Sequence, residues 1–284
     1  MPLSSPQGNA TRKRCQPWLG TFVEITAAHA DDDLLRRAFG AVATVHERMS
    51  FHAQHSDLAA LRHATPGKRV RIHPDTVSVL RFAIDLYRRS HGIFDVAVAA
   101  KLVASGFLPR PPGVDLRRMT GTSADIEIVS DRDVILHRPM LIDLGGIAKG
   151  FAVDNATRLL IDAGMTHAVV NAGGDLRVVG ETRIHLRDGD GAIRRSLVLS
   201  DAALATSANR HTRRQRDGTT WVPHLDAQRM PRPIDHAISV IADECMTADA
   251  LTKVALVAPP EAERLASTYA ARIVPLEPST GADH

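Results

Sequence analysis

Cysteine is too scarce to build anything: Cys15 and Cys245 are the only two, and two thiols make no disulfide framework. They read as reduced thiols of a cytoplasmic protein. Aromatic residues make up only 4% of the chain and the net charge is only +3. No basic block interleaved with aromatics occurs, which argues against a nucleic-acid partner. No apolar run approaches the ~18 residues of a membrane span. Arg12, Lys13 and Arg14 are followed by no apolar stretch, so neither a signal peptide nor a lipoprotein signal before Cys15 is expected. What remains is ordinary for a globular chain: 284 residues, 44% apolar and 24% charged, long enough for a substantial core.

Periodicity gives a first map. Thr21–Thr26 alternates and is β-branched, a strand. Asp31–Asp33 opens a helix with Leu34, Leu35, Ala38, Phe39, Val42, Val45 and Met49 on one face. A short helix is expected over Ser56–Arg62, and a longer one after Pro74 that ends near Gly92. Beyond a break at Pro109, Pro111 and Pro112, Asp125–Val129 and Asp133–His137 read as a hairpin. A helix should run from Phe151 towards Gly164. Strands follow at Ala168–Val170, Leu176–Val179, and Arg183–Arg187 with Ile193–Leu199 around Asp188–Gly191. A strand near Ile238–Ile241, helices over Thr247–Val257 and Glu261–Tyr269, and a strand at Ile273–Leu276 complete the map. Hairpins separated by helices indicate an α+β fold.

The stretch Leu141-Ile142-Asp143-Leu144-Gly145-Gly146-Ile147-Ala148-Lys149-Gly150 carries the strongest chemical signal. An apolar run ends in a carboxylate, a glycine pair and a lysine where a helix begins, and amides exposed at such a junction attract phosphate. It is not a Walker A loop, since Lys149 is followed by Gly150 and Phe151. Neither Gly145-Gly146 nor Gly173-Gly174 extends to a dinucleotide fingerprint, which disfavours an NAD- or ATP-binding enzyme.

Six segments in chain order then point one way: Leu19–Ile25; Met49–His52 through Ser56–Leu58; Ser90–Asp95; Ile142–Gly150 with Asp154; Asn171-Ala172-Gly173-Gly174-Asp175; and Ala205-Thr206-Ser207 with His224, Ser239-Val240 and Ala248–Leu251. Together they resemble the ApbE family of flavin transferases, over roughly Cys15 to Val257. The resemblance implies a T-fold-like α+β unit, internally duplicated, with the flavin site between the halves. It also implies an FAD:protein FMN transferase that uses a divalent metal, usually magnesium. Such an enzyme cleaves FAD, attaches FMN to a Thr or Ser hydroxyl of a target protein and releases AMP. Some members hydrolyse FAD to FMN and AMP instead, and a non-catalytic flavin binder is a third possibility. One domain over 15–277 is expected, between a disordered segment 1–14 and a disordered tail 278–284.

Residue by residue, the resemblance makes Asp143 a flavin-contacting carboxylate and places Lys149 by the phosphates. Gly146 offers a metal-binding carbonyl; Ile93, Phe94 and Asp95 line the flavin and adenine region. Leu19 stands where Met often meets the cofactor, and His52 where relatives carry Tyr. Thr206 contacts the cofactor, within a Thr-Ser-Gly turn whose glycine is here Ala208. His224 is the proton acceptor, although Ala227 and Gln228 replace the Asp-Pro of the family's His-x-x-Asp-Pro and Asp226 comes one residue early. Asp249 is a catalytic metal ligand. Its usual partner, a Thr or Ser four residues on, is here Lys253, with Thr252 one residue early. Two readings stay open: the Lys253 ammonium replaces the metal, or Thr252 or water completes the coordination. The residues alone also allow plainer roles: Asp143 as a turn cap, Lys149 as a surface lysine, Phe94 as a core residue, and His52 and His55 as solvated histidines rather than a zinc pair.

Overall fold

The computed structural model describes residues 11–187, 192–208, 213–216, 219–234 and 237–276. Its centre is a seven-stranded antiparallel sheet of β1 (Thr11–Trp18), β2 (Thr21–Ala28), β6 (Ala168–Ala172), β7 (Asp175–Val179), β10 (Ala203–Ser207), β13 (Ala237–Ala242) and β14 (Arg272–Leu276), in that spatial order. The first half runs hairpin β1–β2, helices, then β6 returning beside β2. The second repeats the path: β10–β13, helices, then β14 returning beside β13. The halves join where β7 pairs β10.

Helices α1 (Asp32–Met49), α5 (Ala148–Asp162) and α6 (Cys245–Val257) cover one face. Asp31 caps α1 by accepting from the Leu34 amide at 2.7 Å, and the expected stripe Leu34 to Met49 is buried. Period-2 alternation sends Val23, Ile25, Ala27, Val170, Ala205 and Val240 into this core. The opposite face of the second half carries Leu176, Val178 and Leu204. There the hairpin β8 (Glu181–Arg187) and β9 (Ile193–Ser200) adds Leu186 and Leu199. The tip of that expected hairpin, 188–191, lies outside the described residues.

Between α1 and α5 the chain inserts α2 (Asp57–Arg62), the small sheet β3 (Arg69–Arg71), β5 (Asp133–Leu136) and β4 (Ile126–Ile128), α3 (Pro74–Arg89) and α4 (Ala99–Ala104). The strands β11 (Arg214–Arg216) and β12 (Thr219–Trp221) form a separate ribbon before β13, and α7 (Pro259–Thr268) packs on α6. Among the described residues no helix is long and apolar enough to cross a membrane.

The N-terminal boundary needs correcting. Thr11–Arg14 lie in β1, paired from Thr11 with Ala28 to Arg14 with Ile25, rather than in a disordered segment. β1 is an exposed edge strand whose cations pair outward, Arg12 with Asp32 at 2.7 Å and Lys13 with Glu24 at 2.7 Å. It therefore has no apolar alternation to read. The remainder of that segment, 1–10, and the tail 278–284 lie outside the described residues. β10 escaped the sequence map because Ala-Leu-Ala-Thr-Ser has little β-branched character.

Candidate active site

The site is built where α5 and α6 begin. Neither helix has a side-chain cap of its own. Each instead supplies a carboxylate to the other. Asp154 of α5 accepts from the Cys245 and Met246 amides at 2.9 and 2.8 Å. Asp249 of α6 accepts from the Gly150 amide at 3.2 Å. Carboxylates at helix N-termini satisfy orphan amides and favour the helix dipole. Arg177 of β7 adds an ion pair to Asp154 at 2.8 Å. The exchange needs close backbones, and Gly150 permits it: a Cβ there would fall 2.3 Å from the Cys245 carbonyl oxygen.

The same approach assembles two carboxylates and two ammonium groups. Lys149 Nζ lies 2.5 Å from Asp175 Oδ2 and 3.4 Å from Asp249 Oδ2. Lys253 Nζ donates to Asp249 Oδ1 at 2.8 Å, Ser207 Oγ at 2.6 Å and Thr252 Oγ1 at 2.9 Å. Burial alone would raise the Asp249 carboxyl, but Lys149 and Lys253 outweigh it and hold the group down to about 2. Asp175 moves the other way: burial raises it, helped by the Asp249 charge and opposed by Lys149. Lys149 stays protonated, because the two carboxylates overcome its desolvation. Asp175 reaches this point because Gly173 and Gly174 make a tight hairpin with φ of +65° and +102°, braced by Gly174 N donating to Asn171 Oδ1.

Two cavities flank the Asp143–Gly145 turn and share those two residues. The first, about 270 Å³, is walled by Ile93, Phe94, Asp95, Val96, Gly146, His224 and Lys253 among others. The second, about 220 Å³, is walled by Leu19, Met49, Phe51, His52 and Lys149 among others. Asp143 is anchored through its amide on the Val96 carbonyl, 2.8 Å, and accepts from the Gly145 amide, 3.2 Å. Burial raises its carboxyl above the usual range. His224 is driven down to about 3 by burial and then by the Lys253 charge, so its imidazole is neutral at physiological pH.

The loop carrying His224 is organised by Asp226, the carboxylate that comes one residue early. Asp226 accepts from the Gln228 and Met230 amides and from Arg232 Nε. This closes a turn between Leu225 and Pro231. Arg229, at φ +58°, then reaches across to Asp95 Oδ2 at 2.6 Å and the Gly121 carbonyl at 2.9 Å. Asp95 is held from its other side by the Ser123 amide and hydroxyl and the Ala97 amide.

The family model described as "ApbE family" matches residues 19–273. The chain belongs to the ApbE family. It is 29% identical over 254 residues to an FAD:protein FMN transferase of Rhodobacter capsulatus, covering 81% of this chain and 48% of that protein. It is 25% identical over 249 residues to one of Klebsiella pneumoniae strain 342, covering 82% and 78%. This chain thus spans about half the length of the first relative. Among solved structures, the ApbE protein of Thermotoga maritima superposes with a TM-score of 0.80 at 22% identity, over 94% of each chain. The apo flavinyl transferase ApbE of Pseudomonas stutzeri gives 0.78 at 22% identity, over 95% of this chain and 92% of that one. These likenesses establish the α+β ApbE fold.

In this ApbE-family chain the expected residues fall into three groups. Lys149, Asp249, Gly146, His224, Asp143, Ile93, Phe94 and Asp95 converge around the first cavity and the charged cluster; Leu19 and His52 line the second. Thr206 joins them only through its backbone, its amide donating to Asp175 Oδ1 at 3.4 Å. Its hydroxyl bonds Ser239 at 2.7 Å, its register partner, while Ser207 turns towards α6. Strand alternation puts Thr206 on the face away from the helices.

The expected metal set of Gly146, Asp249 and Thr252 does not form. Thr252 is fully buried, its hydroxyl engaged by Ser207, Lys253 and the Asp249 carbonyl. Both Asp249 oxygens accept from cations, and the Lys253 stem lies over Gly146. Among the described residues no group of three acidic, His or Cys side chains converges as a metal site. The oxygen donors present are already taken by the two ammonium groups and by one another, and as arranged they do not fit a divalent ion. Asp175, Ser207, Gly150 and Arg229 are members that the sequence reading left out. Asp175, Ser207 and Gly150 stand in recognisable motifs and Arg229 in none, but the register that aims Ser207 inward is invisible in one dimension.

Proposed function

We propose that this chain is an FAD:protein FMN transferase. It cleaves the diphosphate of FAD and joins FMN to a Thr or Ser hydroxyl of an acceptor protein, releasing AMP. The observation that carries the reading is the placement of Lys149 and Lys253 beside two cavities that share the Asp143–Gly145 turn. A ligand with a ring system at each end and an anionic bridge suits that shape. The family relatives named for this reaction add weight.

The chemistry follows from the side chains. His224, in the wall of the first cavity, takes the proton of the acceptor hydroxyl; burial and the Lys253 charge hold its basicity down in the free protein, and the ligand's phosphates offset that charge when bound. The oxygen bonds to the FMN-side phosphorus, the bridging P–O bond breaks, and AMP departs with its electron pair. The Lys149 and Lys253 ammonium groups face the charge that grows on the phosphoryl oxygens. Asp143 orients the ligand from the shared turn. Magnesium, implied by the family resemblance, would find its oxygen donors already occupied by Lys253.

The test is FAD supplied with and without a polypeptide bearing exposed Thr and Ser, followed by AMP chromatography and in-gel flavin fluorescence. AMP with covalent flavin, both dependent on acceptor, supports transfer. AMP without acceptor points to an FAD pyrophosphatase, and intact bound FAD to a binding protein. No uptake of FAD refutes all three.

A further inference from the structure

We propose that the Lys253 ammonium is a built-in cation that displaces any divalent metal, so that this site handles FAD without one. The inference rests on the flavin reading above, but its central test does not. An ammonium has three protons, and Nζ places them on Asp249 Oδ1, Ser207 Oγ and Thr252 Oγ1 at 2.8, 2.6 and 2.9 Å. A carboxylate and two hydroxyls are the hard oxygen donors that magnesium would seek. Here they form a cradle for nitrogen.

The cradle is closed on its other sides. Asp249 Oδ2 already accepts from the Gly150 amide and faces Lys149 Nζ. The Lys253 stem covers Gly146, its Cγ lying 3.3 Å from where a Cβ would stand. Its side chain keeps 19% exposure, enough to border the first cavity without leaving the cradle. Charge agrees: Asp175 and Asp249 are matched one for one by Lys149 and Lys253. A divalent ion that evicts the Lys253 ammonium from that set leaves one uncompensated positive charge in the site and strips buried Asp249 of its partner.

The arrangement also leaves room for a ligand. Ser207 and Thr252 bond each other at 2.8 Å, and Thr252 retains the Asp249 carbonyl at 2.6 Å. Lys253 can therefore turn one N–H from a hydroxyl to a phosphate oxygen while the hydroxyls stay paired. The cation that meets the diphosphate is covalently tethered, so a chelator cannot strip it.

Two measurements on the wild-type protein decide the matter. Without flavin, Mn²⁺ titration followed by electron paramagnetic resonance should show no saturable uptake. FAD affinity, read by flavin fluorescence, should agree within about twofold in EDTA and in excess magnesium. One saturable Mn²⁺ site lost in Asp249→Asn overturns the proposal, as does a drop in FAD affinity of about tenfold or more on chelation. Lys253→Thr should gain saturable Mn²⁺ uptake; a variant as blind to metal as wild type also overturns it. Failure of FAD to bind under every condition would sink the flavin reading and leave the Mn²⁺ result standing.

Discussion

An alanine at Gly150 adds one methyl where two helices meet backbone to backbone. Its Cβ would lie 2.3 Å from the Cys245 carbonyl oxygen and 2.7 Å from the Met246 Cα. Neither is the end of a side chain that can rotate away. Restoring an ordinary contact of 3.4 Å from 2.3 Å opens α5 from α6 by about 1.1 Å, a large shift in a close-packed interior. Overpacking of this kind costs about 1–3 kcal/mol. Stretching the charged hydrogen bond from Gly150 N to Asp249 adds about 1.5–3 kcal/mol if it breaks. Better helix propensity returns about 1 kcal/mol. The net is a loss of about 1.5–5 kcal/mol, a fall in Tm of about 3–8 °C for a chain of this length. The control is Gly40→Ala in α1, where nothing lies within 4 Å of the added Cβ. There only propensity acts, so stability rises by about 0.5–1 kcal/mol. Thermal and urea unfolding monitored by circular dichroism measure both. A Gly150→Ala variant as stable as wild type would refute the close approach on which the site is built.

Thr206→Val should cost about 1–2 kcal/mol by stranding the buried Ser239 hydroxyl, yet leave FAD affinity unchanged, whereas Ser207→Ala should weaken FAD binding; fluorescence titration returning the opposite pattern contradicts the assignment of strand faces. In the latch between Arg229 and Asp95, a double-mutant cycle of Arg229→Ala with Asp95→Asn should show coupling of about 1.5–3 kcal/mol, and additive effects would count against it. For His224 the folded value of about 3 lies below the ordinary 6.5, so the unfolded chain binds the extra proton between them. Its contribution to stability is complete above pH 6.5 and is lost as pH falls from there towards 3. His224→Gln should therefore gain on wild type in Tm as pH drops from 7 to 4; a constant difference across that range contradicts a partly buried imidazole held neutral.

Much of this protein was written along the chain. The stripe from Leu34 to Met49, the alternation of Thr21–Thr26 and the hairpin signals each report a local periodicity, and local periodicity needs no knowledge of partners. The junction before Lys149 was legible for the same reason: adjacent glycines and a lysine at a helix start are neighbours in sequence as in space. Tertiary structure decided what depends on two elements at once. It paired an edge strand that has no apolar face, turned Thr206 away while Ser207 faced inward, and set Asp154 and Asp249 as caps on each other's helices. It also decided what Lys253 does. Sequence spacing allowed an ammonium or a metal beside Asp249; the register of β10 against α6 brings Ser207 to that nitrogen, and hydrogen bonds between distant segments have no signature in one dimension.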